Sequence, residues 1–234
     1  MNTIHAFLNA AVLTGFFAVA AAATPTEEAT PATAKSWTHT GSVGIAVPVS
    51  RFNADGKDVT TVGVGMDFNY IGIARNGFTA ELSVAGGFSS TDDIKFEEGD
   101  IQDGRFTTLD LGLGYTFNVG KNFSVSVIGT VGYEIAYFES EKKEYEHENL
   151  GKVDRTFSEA LGALTLGGDV IVYKGLSEKA GIYVNVSGRW FAKSVTTSTV
   201  SYEKGDDTRT DTHTDDDNSG KYSVVPSVGV MYSF

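Results

Sequence analysis

From Trp37 to the end of the chain, apolar and polar residues alternate with a period of two, which marks strands that bury one face. Eight runs carry the pattern. The first sets Trp37, Val43, Ile45, Val47 and Val49 against Ser42, Gly44 and Ala46. In the second, Val62, Val64, Met66, Phe68 and Tyr70 oppose Gly63, Gly65, Asp67 and Asn69. Phe78, Ala80, Leu82, Val84 and Phe88 form the third, with Glu81 among the residues behind them. Leu109, Leu111, Leu113, Tyr115 and Phe117 make the fourth, backed by Asp110. The fifth has Phe123, Val125, Val127, Val131, Tyr133 and Ile135 against Ser124, Thr130 and Glu134. Less regular is the sixth, where Leu164, Leu166, Val170 and Val172 face Glu159 and Asp169 while Leu161 and Ile171 break parity. Ile182, Val184, Val186 and Trp190 oppose Arg189 in the seventh. The eighth offers Tyr222, Val224, Val228, Val230, Tyr232 and Phe234, with Pro226 on the same parity.

Connections between these runs alternate in length. Short ones fall at 75–77, 119–121 and 174–180, and long ones at 51–58, 89–105, 139–155 and 194–220. Short turns at one end and long loops at the other predict an all-β, antiparallel, up-and-down barrel of eight strands. Threonine-rich alternation within 195–202 and 208–214 is polar on both faces and predicts a hairpin projecting beyond any membrane.

Parity alone does not fix which face points outward. Mid-strand polar positions are mostly Gly, Ser, Thr and Ala, which suit the narrow interior of an eight-stranded barrel. Aromatic residues on the apolar face gather at the strand ends. Trp37, Tyr70, Phe78, Phe117 and Phe123 mark the short-turn end, and Phe88, Tyr133, Trp190 and Tyr222 the long-loop end. Phe78 to Phe88 spans about 34 Å of strand at about 3.4 Å per residue, or roughly 25 Å of height once tilted, which matches a lipid belt. The apolar face is therefore expected to look outward, into hydrocarbon.

Composition narrows the partners. With 18 Lys plus Arg against 30 Asp plus Glu, the net charge is −12, a poor match for a phosphate backbone, so nucleic acid is excluded. The chain has no cysteine, which removes disulfides and thiol chemistry. Residues 6–22 are almost wholly apolar and end in Ala20-Ala21-Ala22-Ala23, the pattern of a cleaved export signal, although no Lys or Arg precedes them. The expected organisation is a signal at 1–23, a short leader at 24–36 and a barrel at 37–234.

These features resemble the small Gram-negative outer-membrane barrels, of the opacity-protein and outer-membrane-protein-A membrane-domain type. In that family a terminal aromatic preceded by alternating apolar residues is read by the barrel-assembly machinery, and Val228, Val230, Tyr232 and Phe234 match that mark. The resemblance implies an outer-membrane location with periplasmic termini, surrounded by lipid and lipopolysaccharide. It is generic for function.

Chemistry is sparse. His39 lies at the foot of the first run, and His147 sits in a charge run; no serine–histidine constellation emerges, so neither catalytic residues nor a cofactor are expected. Residues 215–220 copy the first half of a calcium loop, but its twelfth position is Pro226, so a metal site is not expected either. Inside the barrel, Asp67, Glu81, Asp110, Glu134, Glu159 and Asp169 outnumber Arg189 and Lys193. Arg189 and Asp110 fall at similar depth, as do Lys193 and Glu159, which predicts an internal charge network. The leading functional expectation is a non-enzymatic surface barrel, acting as adhesin, receptor or barrier through its long loops. A narrow channel with a weak cation preference is the alternative, ahead of a lipid-modifying enzyme.

Overall fold

The computed structural model describes residues 37–54, 57–91, 101–149, 151–205, 207–215 and 221–234. The expected signal and leader lie outside the described residues. Among the described residues, eleven strands follow in chain order: β1 Trp37–Ala46, β2 Val49–Ala54, β3 Lys57–Ala74, β4 Phe78–Ser90, β5 Ile101–Gly120, β6 Phe123–Ser140, β7 Lys143–His147, β8 Gly151–Gly175, β9 Ala180–Lys204, β10 Asp207–Asp215 and β11 Tyr222–Ser233.

They form a ring of eight antiparallel staves. β1 and β2 are one stave, interrupted at Val47-Pro48, and both parts pair with β3 on one side and β11 on the other. The ring then runs β3, β4, β5, β6, β8, β9 and back to β11. Closure leaves no free edge within the barrel wall, as a lipid-spanning sheet requires. At the β1–β2 break, the Pro226 carbonyl accepts a hydrogen bond from the Val47 amide at 2.9 Å. Pro226 thus keeps its acceptor role in the wall while lacking a donor.

Apolar residues of the alternating pattern cover the outside. Leu113 is 62% exposed, Leu111 59% and Val228 56%, whereas Asp67, Asp110, Glu134 and Arg189 are buried. The sheet has turned its greasy side away from the axis. Every aromatic expected at the band edges stands on this outer face, with Trp37 edge-on to Phe78 at the short-turn end and Trp190 beside Tyr222 at the other.

Two expectations are corrected. Residues 51–58 and 139–155 are not long loops, because β2 pairs with β3 through Asn53 and Asp58 and β7 pairs with β8. Their alternation was masked because charged residues occupy both faces of Lys143–His147, and no apolar side marks the period. The interior is also less polar than expected. Residues such as Ile71, Ile128, Leu161 and Ile171, apolar on the polar parity, all point into the lumen and are buried.

Candidate functional site

Seen along the axis, the lumen is stratified. At the short-turn end, a cavity of about 590 Å³ opens between Thr38, Thr40, Thr116, Ser126 and Ser233. Thr116 shares hydrogen bonds of 2.7 Å with both Thr79 and Ser126. Above it Ile71, Ile128, Ile171, Tyr183 and Met231 pack together from five staves. Near the long-loop end Phe52, Val59, Ala136, Phe138, Leu161, Ala163 and Phe191 form a second layer. Phe52 and Phe138, from opposite walls, stack at 6.2 Å between ring centroids.

Charged side chains lie between these layers. Arg189 donates from Nε and Nη to one oxygen of Asp110, at 2.9 and 2.5 Å. Glu134 and Asp169 share the field of that guanidinium, and so does Glu81. Four carboxyl groups thus surround one cation. Ser50 donates to Glu134 at 2.6 Å and is 3.0 Å from the hydroxyl of Ser223. Asp67 accepts from Tyr183, Asn69 and Ser227 at 2.7, 2.9 and 3.1 Å. Glycines make the room. A Cβ on Gly132 would strike the Asp110 carboxylate, and one on Gly44 would strike the Tyr183 hydroxyl.

The structure thus brings Asp110 and Arg189 together, with Glu81, Glu134 and Asp169 close by and Asp67 on its own branch. Glu159 is buried too, but lies beyond Leu161 toward the mouth and outside this layer. Lys193 is a correction. The β8–β9 register slips between Leu164 opposite Lys193 and Thr165 opposite Phe191, so Ala192 is an extra residue. Such a bulge reverses parity beyond it. Phe191, before the bulge, keeps the inward parity of Arg189, whereas Lys193, after it, turns outward and is exposed.

Beyond the barrel rim rises a second feature. β8 and β9 each run 25 residues, far more than the roughly 9–11 that cross a bilayer. Their upper parts pair with each other, with β7 on one side and with β10 on the other. The result is a projecting sheet of four strands. On its barrel-side face Arg155 lies over the rings of Phe157, Tyr145 and Tyr202, at 4.1, 4.7 and 5.6 Å. At the rim, Arg51 and Lys221 both bind Asp58, Arg51 at 2.6 Å. The Lys221 and Arg51 hydrogen bonds hold the Asp58 carboxyl below its usual range.

The family described as a domain of unknown function, DUF2715, matches residues 27–231. This chain belongs to that family. A comparison with curated proteins found no match. Among solved structures, the DUF2715 barrel is similar to a major outer membrane protein from Thermus thermophilus. That likeness has a TM-score of 0.53 and 14% identity, over 82% of this chain and 99% of that one. It is also similar to Neisserial surface protein A (TM-score 0.48, 10% identity, 86% of this chain and 98% of that one). A third is the attachment invasion locus protein of Yersinia pestis (TM-score 0.42, 18% identity, 83% and 98%). At 14% identity the first of these likenesses establishes the outer-membrane-barrel fold and nothing finer.

The DUF2715 histidines are placed as follows. His39 faces outward, 2.8 Å from the Tyr70 hydroxyl and stacked near Phe234. His147 accepts from the Asn149 amide at 3.2 Å and meets the Tyr202 ring edge-on. Sequence reading missed one pair, because His213 on β10 stands directly opposite Ser198 on β9. No hydrogen bond joins them among the described residues. Among the described residues, no cluster of three or more His, Asp or Glu side chains is arranged to hold a metal ion. Residues 216–220 of the calcium-like stretch lie outside the described residues.

Proposed function

We propose that this DUF2715 chain is a non-enzymatic outer-membrane surface barrel that contacts the outside through its projecting sheet. One observation carries the reading: β8 and β9 continue well past the outer aromatic ring as a four-stranded sheet. Residues 197–204 alone, past the last buried lumen positions, add roughly 26 Å of strand at about 3.3 Å each. Length of that order has no use in a barrel wall, and rigid scaffolds commonly carry their binding surfaces on such extensions. The lumen supports the same view. Apolar layers on both sides of the charged layer leave the interior packed, so the Arg189 network acts structurally, holding opposite walls together.

In this reading export is driven by residues 1–23, the termini face the periplasm, and Val228, Val230, Tyr232 and Phe234 serve assembly. Outer-membrane lipid and lipopolysaccharide surround the band between the aromatic rings. Ser198 and His213 stand opposite each other without a hydrogen bond among the described residues, so in this reading the serine is not an activated nucleophile.

The test is binding of vesicle-reconstituted protein to cell or abiotic surfaces, with and without residues 197–214 replaced by a short turn. Loss of binding in the trimmed barrel, with its heat-shifted gel band intact, is the expected result. Equal binding by both forms would overturn the reading. Release of labelled fatty acid from phospholipid or lipopolysaccharide, lost in Ser198→Ala, would overturn its non-enzymatic part.

A further inference from the structure

β10 pairs with β9 along one edge, and no strand pairs with its other edge among the described residues. Open edges are usually blunted by proline, lysine, bulges or short length. β7, the opposite edge of the projecting sheet, has five residues and begins with Lys143. β10 has nine residues, Asp-Thr-Arg-Thr-Asp-Thr-His-Thr-Asp, with neither proline nor lysine and no bulge against β9. Its threonines point to the outer side of the sheet. Asp207, Arg209, Asp211 and His213 point to the barrel side, and Arg209 and Asp211 are more than half exposed.

We propose that the free edge of β10 binds the same edge of a second copy, antiparallel, about a two-fold axis at Thr210. The inference rests on the surface-contact reading above and names its partner. Like strands meeting edge to edge about a two-fold axis keep each face with its own kind. The register then decides the charges. Centred on Thr210, Arg209 meets Asp211 of the second copy, and Asp207 meets its His213, each contact occurring twice. Thr208 meets Thr212, and Thr210 meets itself. Centring on Arg209 or Asp211 instead places like charges in contact, which opposes pairing. Centring on Thr212 leaves Asp207 with no partner on β10, which ends at Asp215. One register satisfies every charged position from 207 to 213.

Antiparallel pairing also reverses the direction of climb. Strands rising from one membrane therefore join strands rising from a facing membrane, and the contact links two surfaces.

Two populations of lipid vesicles, each with a different dye on its protein, provide the test. Wild-type vesicles are expected to cluster. Arg209→Asp and Asp211→Arg vesicles should each fail to cluster with themselves, down to the level of empty vesicles. Mixed together they should cluster again, because positions 209 and 211 of the two variants then face each other with opposite charges. The chain has no cysteine, so Thr210→Cys should give a disulfide dimer carrying both dyes. No clustering, no rescue on mixing, or dimers confined to one dye would overturn the proposal. Clustering failure with retained binding to another surface would leave the broader function standing while this pairing falls.

Discussion

The Arg189 guanidinium reaches across the lumen from β9 to Asp110 on β5, and both side chains are only 2% exposed. The two staves are not neighbours in the ring, so this pair braces opposite walls. Breaking a buried pair strands a charge. Arg189→Leu is expected to destabilise the barrel by about 3–5 kcal/mol. Asp110→Leu should cost less, because Arg189 keeps Glu134, Asp169 and Glu81 as partners. The double variant should cost less than the sum of the singles. Denaturant unfolding followed through the heat-shifted gel band measures all three.

Gly132 stands opposite Asp110 on β6, where a methyl group would overlap the carboxylate and the Leu109 carbonyl. Gly132→Ala is therefore expected to cost about 1–3 kcal/mol by overpacking. Gly120→Ala, whose added carbon would meet nothing, provides the control with a much smaller change in the same unfolding assay.

A packed lumen should not conduct. Planar-bilayer recordings are expected to show no discrete conductance steps for the wild type. Phe138→Ala should remain closed too, since the layer of Ile71, Ile128, Ile171, Tyr183 and Met231 still crosses the lumen. Steady cation-selective steps in the wild type would restore the channel alternative.

At the rim, the Lys221 and Arg51 bonds to Asp58 set a pH dependence. A carboxyl depressed in the folded state adds stability above its unfolded pKa and loses it as pH falls through the folded value. Hydrogen exchange of the β2–β3 hairpin, corrected for intrinsic rates, should be faster in Asp58→Asn at neutral pH. The difference should vanish once the pH drops below the depressed value. A difference that persists into strong acid would remove Asp58 ionisation as its cause.

The ring of eight staves was legible because lipid demands an unbroken greasy face, and runs such as Leu109, Leu111 and Leu113 display it directly. The short turns were equally plain, and counting up from them aligned Arg189 with Asp110. Three features escaped. Phe52, Phe138 and Phe191 fill the lumen, but an interior apolar residue carries no local mark that separates it from one facing lipid. β7 and the start of β8 set charged residues among their few apolar ones, as Arg155 between Val153 and Phe157, so their period was hidden among charges. The extra residue at Ala192 turns Lys193 outward, and nothing in the sequence around it announces a bulge.

The barrel's place in the membrane depends on its apolar face touching hydrocarbon, and the chain's two tryptophans report on it. Trp37 and Trp190 stand on the outer face at opposite ends of the band. In bilayers of lipids brominated at graded depths, single-tryptophan variants should each be quenched, most strongly by bromines near the headgroups and weakly at the midplane. Absence of quenching at every depth, from folded protein in the bilayer, would contradict the outward orientation.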